Sequence, residues 1–142
     1  MTCSYNKSSI ARTANYLVGT GMERSDAFRA AWQMARRGGT CKVSGVTHNG
    51  RQRLLKRLAG YAPDQITIAL KRDKANIFDP NAIAVIASVR GAGSAIVGFI
   101  PALTAIKLAR LMDRGIHFHA AFDAVVGGCR GLSYGLRLRV AI

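Results

Sequence analysis

The chain has 142 residues, of which 49% are hydrophobic, and its 21 Lys and Arg residues outnumber 7 Asp and Glu residues. This length and apolar content predict one globular domain with a short extra unit at most, and they exclude a disordered chain of low hydrophobicity. The net charge of +14 indicates a polyanionic partner, of which nucleic acid is the commonest.

The first 40 residues show helical periodicity and predict a hairpin of two helices. The first helix is expected from Ser8 to Val18, and the second from Ser25 to Arg37 before a glycine pair. A hairpin of this size is too small to fold alone, so we expect it to dock on the rest of the chain. Trp32 lies on the apolar face of the second helix, where core packing is favoured over base stacking.

From residue 41 onward the pattern becomes mixed. The runs that read as strands are 42–46, 66–71, 82–88, 95–100, 117–126 and 134–142, and the helices are 51–58 and 101–114. With no regular βαβ repeat, this arrangement favours a small β-barrel over a parallel sheet. In the later helix we expect Leu103, Ile106, Ala109 and Met112 to be buried. The chain is therefore divided into a helical hairpin, residues 1–40, and a barrel, residues 41–142.

The loop between the second and third predicted strands combines an aromatic side chain with a carboxylate. It reaches the next strand through Asp79-Pro80-Asn81, which is a strong turn signal. Phe78 can stack on a nucleobase, and Asp79 can accept the proton of a hydroxyl. In so basic a chain these two residues predict a site for the end of a nucleic-acid strand. Asp79 is equally explained as an Asx-turn acceptor for backbone amides.

Several segments after residue 41 occur in a recognisable order. The central one is Asn76-Ile77-Phe78-Asp79-Pro80-Asn81-Ala82-Ile83-Ala84-Val85, preceded by Val43-Ser44-Gly45-Val46 and followed by Val97-Gly98-Phe99-Ile100-Pro101 and Tyr134-Gly135. From Lys42 to Ile142 the chain resembles a HIRAN domain, whose central pattern is N-P-[YF]-D-x-N-A-I-x-V. The resemblance implies a six-stranded barrel related to OB and SH3-like folds. With its two helices and the helical hairpin predicted ahead of it, the chain is expected to have an α+β fold.

The resemblance also implies a function. HIRAN domains occur fused to helicases and nucleases and also alone in bacteria and phages, and the best understood hold a single-stranded DNA end with a free 3′ hydroxyl. Carried over, the pocket loop is Asn76, Phe78 and Asp79, faced by Thr47, His48 and Asn49. Phe78 would stack on the terminal base, and Asp79 would accept the hydroxyl and repel a 3′ phosphate. The basic residues expected to contact DNA are Arg51, Arg53, Lys56, Arg57, Arg72, Lys74, Arg137 and Arg139.

This chain departs from the pattern of the eukaryotic end readers at several positions, including Phe99 and Ala102, where those proteins have a histidine and a nearby lysine. Ile77 replaces the proline of the motif, and Phe78 replaces a tyrosine. Thr47 and His48 stand where the end readers have an arginine and tyrosines. Because these changes remove polar partners of the hydroxyl, general DNA binding survives them better than strict 3′-end reading.

The sequence argues against catalysis and against bound cofactors. We find no P-loop, nucleophile elbow or H-E-x-x-H motif, and we expect a non-enzymatic protein. Cys3, Cys41 and Cys129 lack metal or disulfide spacing, so we expect no cofactor, no metal and a cytoplasmic location. His117 and His119 have no evident third ligand, which favours an ordinary surface or core role. With no apolar run of about 18 residues, no membrane span is expected.

Two other functions stay open at this point. One is a protein-interaction or assembly subunit of a nucleic-acid-processing complex, such as phage or defence machinery, whose partner carries the helicase or nuclease activity. The other is RNA binding, which the charge of the chain permits equally well. A preference for ribose strands through their 2′ hydroxyls would identify an RNA binder.

Overall fold

The computed structural model describes residues 5–36 and 39–142. It begins with two helices, α1 (Lys7–Gly19) and α2 (Arg24–Arg36). The elements that follow, with one 3-10 turn at Pro63–Gln65, are β1 (Gly39–Lys42), α3 (Arg51–Leu58), β2 (Ile66–Arg72), β3 (Ile83–Val89), β4 (Gly93–Phe99), α4 (Ala102–Asp113), β5 (His119–Gly127) and β6 (Tyr134–Ala141). The predicted α+β class is confirmed. Cys3 and the predicted helix end at Arg37 lie outside the described residues.

Most predicted elements are found with ends shifted by one or two residues, and the first strand differs most. It was expected at residues 42–46, but β1 is Gly39–Lys42. Beyond β1, the amide of Val43 still donates to the carbonyl of Leu136 at 2.9 Å, whereas Ser44 pairs with a different strand. The chain therefore passes from one neighbour to another within two residues.

The six strands form one antiparallel sheet in the order β1-β6-β5-β2-β3-β4. Just beyond the edge strand β1, Ser44 forms an isolated bridge with Phe99 of the other edge strand, β4, in which the two residues exchange amide hydrogen bonds of 2.8 and 2.9 Å. The sheet thus curls as an OB-like fold does, but its ladder is not closed.

This bridge depends on a glycine in β4. A Cβ atom on Gly98 would lie 2.4 Å from Cγ1 of Val43 and 2.5 Å from the carbonyl oxygen of Ser44. Both distances are far below van der Waals contact. Gly98 is therefore the position where the two edges of the sheet come close enough to pair.

One hydrophobic core joins the hairpin to the sheet. Ile10 and Ala14 of α1 and Ala31 of α2 belong to the same buried cluster as Leu55 of α3 and Leu136 of β6. The expected docking of the hairpin is therefore observed, while the division of the chain at residue 40 stays a prediction. In residues 5–36 and 39–142, no helix has the length and apolar character needed to cross a bilayer.

Helix α4 buries a different face from the predicted one. Leu103 is 82% exposed and Ile106 is 36% exposed, so the expectation for these two residues was wrong. Ala109 is buried as expected and Met112 is half-buried. The buried residues of α4 are Ala105, Leu108, Ala109 and Leu111. Apolar residues occur on more than one side of α4, so the periodicity did not define a single inward face. Packing within the common core decided which of them are buried.

Candidate nucleic-acid interface

The loop between β2 and β3, residues 73–82, is organised by its own side chains. The Oδ1 atom of Asn76 accepts the amide hydrogens of Phe78 and Asp79 at 2.9 and 3.0 Å. The Oδ1 atom of Asp79 accepts the amide hydrogen of Asn81 at 2.8 Å. Asp79 is therefore an Asx-turn acceptor, and Asn76 shapes the loop from within. The DNA contacts expected of Asn76 and Asp79 stay predictions.

The tip of this loop presents its apolar side chains to solvent. Phe78 is 91% exposed, and its neighbour Ile77 is 88% exposed. An aromatic ring normally stabilises a fold by being buried, and this ring makes no such contribution. Since the hydrogen bonds of Asn76 and Asp79 hold the backbone beneath it, the ring is presented on an ordered support. Such a feature is typical of a binding site.

Arg72 links the base of the loop to helix α4 through hydrogen bonds. Its Nη1 and Nη2 atoms donate to the carbonyls of Ala82 and Pro80 at 2.8 and 3.1 Å. Its Nε and Nη2 atoms donate to the two carboxylate oxygens of Asp113 at 3.0 and 3.2 Å. With its side chain only 12% exposed, Arg72 acts as an anchor of the loop. By contrast, Lys74 is 71% exposed and lies 3.8 Å from Asp113, which leaves it accessible to a phosphate.

The hydrogen bond from Arg72 lowers the pKa of Asp113, and the nearby charges of Arg72 and Lys74 act in the same direction. A lowered pKa in the folded state stabilises the fold above the unfolded pKa of about 3.9, and this contribution disappears as the pH falls through the folded pKa. We therefore expect Asp113→Asn to be less stable than the parent at neutral pH and equally stable at about pH 2. Urea denaturation at the two pH values measures this difference.

The control for this measurement is Asp64→Asn, which changes an exposed carboxylate in the turn before β2. It should leave the stability near that of the parent at both pH values. A deficit of Asp113→Asn that persisted at low pH would mean that position 113 acts through packing and not through its charge.

At the start of α3, two polar side chains hold neighbouring segments together. The Nη1 atom of Arg51 donates to the carbonyl of Gly45 at 2.7 Å, and its guanidinium lies 5.3 Å from the centre of the Phe99 ring. Gln52 donates to the carbonyls of Val46 and Tyr134 and accepts the amide hydrogen of Tyr134 at 2.7 Å. The role of Gln52 is not evident from the sequence, because a glutamine in a basic helix looks like an ordinary solvent-facing residue.

The outer face of α3 carries the basic residues predicted for it. Arg53, Lys56 and Arg57 are all exposed and lie three and four residues apart, so they share one side of the helix. They form a compact positive surface, and none of the three side chains is buried in the core. This surface suits the phosphates of a nucleic-acid strand.

The residues predicted to face the loop form the turn before α3. Thr47, His48 and Asn49 are exposed, and the turn is closed by a 3.1 Å hydrogen bond from the amide of Arg51 to the carbonyl of His48. In the described part of the chain, no hydrogen bond joins this turn to the β2–β3 loop. That the two face each other across a pocket stays a prediction.

A second basic cluster, made of Lys42, Arg137 and Arg139, lies on the outer face of β1 and β6. Lys42 pairs in register with Arg137, and Arg139 lies two residues further along β6. Arg137 forms an ion pair with Asp123, and the Nε atom of Arg139 lies 3.5 Å from the same carboxylate. The cluster thus holds three cations, two of which share one acidic side chain. The excess of positive charge favours phosphate contact. The carboxylate of Asp123 would compete with a phosphate for the two arginines.

The side chains with metal-binding chemistry are dispersed. In residues 5–36 and 39–142, no three His, Cys, Asp or Glu side chains form a group that could hold a metal ion. The rings of His117 and His119 contact each other edge to face, with their centres 4.8 Å apart. Partial burial raises the pKa of the Cys41 thiol, which makes it a poor nucleophile at neutral pH.

Comparisons with known proteins give two structural neighbours. No curated protein matches the chain. A solved protein from Lactobacillus plantarum is similar over 72% of this chain and 92% of its own, with 20% identity and a TM-score of 0.49. The HIRAN domain of human HLTF is similar over 75% of each chain, with 20% identity and a TM-score of 0.44.

The family model of the HIRAN domain matches residues 39–141. The resemblance drawn from the sequence, at residues 42–142, is thus confirmed with nearly the same limits. The match contains the β2–β3 loop with Lys74, the basic face of α3, the basic cluster on β1 and β6, and the bridge beside Gly98. The chain belongs to the HIRAN domain family, a family of nucleic-acid-binding modules that generally bind DNA and whose domain is not itself catalytic.

Proposed function

We propose that this protein binds single-stranded DNA and holds one end of the strand at the β2–β3 loop. The observation that carries the proposal is the 91% exposure of Phe78 on a loop that hydrogen bonds keep in one shape. An exposed ring in a chain of net charge +14 can stack on a nucleobase while the basic residues attract the phosphates of the same strand. Membership of a generally DNA-binding family supports the same conclusion.

The two functional side chains of the loop would read different parts of the terminal nucleotide. The ring of Phe78 stacks on the base without regard to sequence, because every base has a flat face. Asp79 uses Oδ1 for the amide of Asn81, while its Oδ2 atom has no hydrogen-bond partner among the described residues. Oδ2 can therefore accept a hydrogen bond from a 3′ hydroxyl. A 3′ phosphate at the same place would bring like charges together.

The trailing part of the strand would lie on the basic side chains that the protein leaves accessible. These are Lys74 beside the loop, the face of α3, and the cluster on β1 and β6. Such contacts neutralise phosphates without reading sequence, so the affinity should fall steeply as salt is raised. Unwinding or cleavage of the bound strand would then belong to a separate helicase or nuclease partner.

The sharpest test of end reading is Asp79→Asn, because asparagine keeps the Oδ1 acceptor of the turn but replaces the charged Oδ2 acceptor with an amide NH2 donor. Fluorescence anisotropy would compare oligonucleotides ending in a 3′ hydroxyl and in a 3′ phosphate, at low and physiological salt. We expect the parent protein to prefer the hydroxyl end and Asp79→Asn to lose that preference while it retains binding.

The matched control is Asp73→Asn, which removes one negative charge from the same loop. Because Asp73 lies at the base of the loop and contacts Asn76, its loss should not change the preference between the two ends. If the parent binds both ends equally, the loop does not read the 3′ hydroxyl. Tighter binding of a ribose strand would favour RNA as the partner.

A further inference from the structure

Helix α2 carries an aromatic and cationic stripe that lies outside the HIRAN match at residues 39–141. Arg29, Trp32, Gln33 and Arg36 line one surface depression of about 350 Å³. They stand three, four and seven residues apart, so they share one side of the helix. This stripe is distinct from the inward face of α2, where Ala27 and Ala31 are buried.

Trp32 packs against the core as expected, but it is only partly buried. Its ring meets Tyr5 edge to face, with the ring centres 5.8 Å apart. The guanidinium of Arg36 lies 5.1 Å from the centre of the same ring. Arg36 is exposed, and its flat guanidinium can stack on a base and also pair with a phosphate.

Arg29 contributes a second accessible charge to the stripe. Its Nη1 atom lies 3.4 Å from the carboxylate of Asp26, and the two side chains are 78% and 57% exposed. An ion pair this exposed and this long is weak, so it leaves Arg29 able to bind another anion.

The stripe continues into a groove that leads to the basic cluster on β1 and β6. Gln33 also borders a largely apolar cavity of about 360 Å³, lined further by Met34, Leu108 and Phe118. Thr40 and Cys41 line this cavity and also a depression of about 330 Å³ that contains Lys42 and Arg137. Shared residues therefore connect three adjoining depressions, with cations at both ends and an apolar middle.

We propose that the N-terminal hairpin adds a second contact surface for single-stranded nucleic acid. Phosphates bind Arg29 and Arg36 at one end of the groove and Lys42 and Arg137 at the other, and bases rest against the apolar cavity between them. Charge complementarity identifies the occupant, since alternating anionic and flat apolar groups match this order of side chains. The inference rests on the proposed binding of single strands, but it does not need the β2–β3 loop.

The chain contains a single tryptophan, so its emission reports on this surface alone. A titration with an oligothymidylate would record tryptophan fluorescence and the anisotropy of a label on the DNA together. We expect Trp32 emission to be quenched with the same midpoint as the rise in anisotropy. The quench should persist in Phe78→Ala when the DNA concentration is raised to restore binding.

Removal of the two arginines tests the phosphate contacts. Each contact to a single strand contributes about 0.7 to the slope of log affinity against log salt, so Arg29→Gln with Arg36→Gln should lower the slope by about 1.4. Both side chains are exposed, and circular dichroism would verify that the helices are retained. The matched control is Arg24→Gln, an exposed arginine at the start of the same helix, roughly 18 Å from Arg36 and roughly 8 Å from Arg29, which should leave the slope unchanged.

The outcomes separate this proposal from the function proposed above. DNA binding with unchanged Trp32 emission and an unchanged salt slope would overturn the hairpin surface and leave the loop function standing. A quench produced by an acidic peptide and not by DNA would make the groove a protein-docking surface and overturn the proposal. An absence of any DNA binding would overturn both.

Discussion

Phe78→Ala is expected to weaken the binding of single-stranded DNA by about 5- to 150-fold, which corresponds to the loss of about 1–3 kcal/mol of base stacking. The ring is 91% exposed, so its removal takes away very little packing from the folded protein. The free energy of unfolding should therefore stay within about 0.5 kcal/mol of the parent value. Anisotropy titrations and urea denaturation on the same samples measure the two quantities.

Ile77→Ala is the matched control for this prediction, because Ile77 is the adjacent residue and is 88% exposed. It removes apolar area of similar accessibility but no flat ring. We expect it to change DNA affinity much less than Phe78→Ala does. Phe78→Trp should retain the affinity or increase it, since indole also stacks on bases.

Equal losses for the two alanine variants would show that the loop tip acts as a general apolar contact. In that case the aromatic ring would have no special role, and a protein surface would become the better candidate partner. A loss of stability in Phe78→Ala would instead show that the ring packs on the protein in solution.

Gly98→Ala is expected to destabilise the protein by about 3 kcal/mol, at the upper end of the range for overpacked sites. The added methyl would stand 2.4 Å from Cγ1 of Val43 and 2.5 Å from the carbonyl of Ser44. One of these is backbone, so the clash cannot be relieved by a side-chain rotation. The bridge between Ser44 and Phe99 must therefore open, and urea denaturation measures the loss.

The matched control is Gly39→Ala, a glycine of the same sheet where an added Cβ atom would meet nothing within 4 Å and the φ angle is not positive. Its substitution should be neutral or stabilise the protein by up to about 1 kcal/mol, because alanine restricts the unfolded chain. If Gly98→Ala were as stable as Gly39→Ala, the close approach of the two sheet edges would not exist in solution.

Much of the fold could be predicted from local patterns. The alternation in β6, the turn signal at Asp79-Pro80-Asn81 and the helical period of α1 and α2 each placed an element within a few residues of its observed position. These signals are local because they arise from which side chains face the core in one helix or strand. The order of the motif segments added the family and the OB-like sheet.

The features that the sequence did not reveal have a common cause, which is packing between elements that are distant in sequence. Leu103 and Ile106 were expected to be buried, yet α4 turned its other apolar residues inward. Arg72, for which phosphate contact stays a prediction, donates to the carbonyls of Ala82 and Pro80 and to Asp113, which lies 41 residues away. Gln52 links α3 to Tyr134 across 82 residues. A side chain's partner at such separation is not visible in the pattern of its neighbours.

The sequence by itself determined the class of the fold, the position of the β2–β3 loop and the positive charge that a nucleic-acid partner requires. These properties depend on composition, on short-range periodicity and on a motif contained in ten consecutive residues. Only the tertiary structure decided that Phe78 is exposed, that Arg72 anchors the loop, and that the stripe on α2 adjoins the cluster at Lys42. Each of those depends on which distant elements pack together, because burial and hydrogen bonding are settled by the whole core and not by one segment.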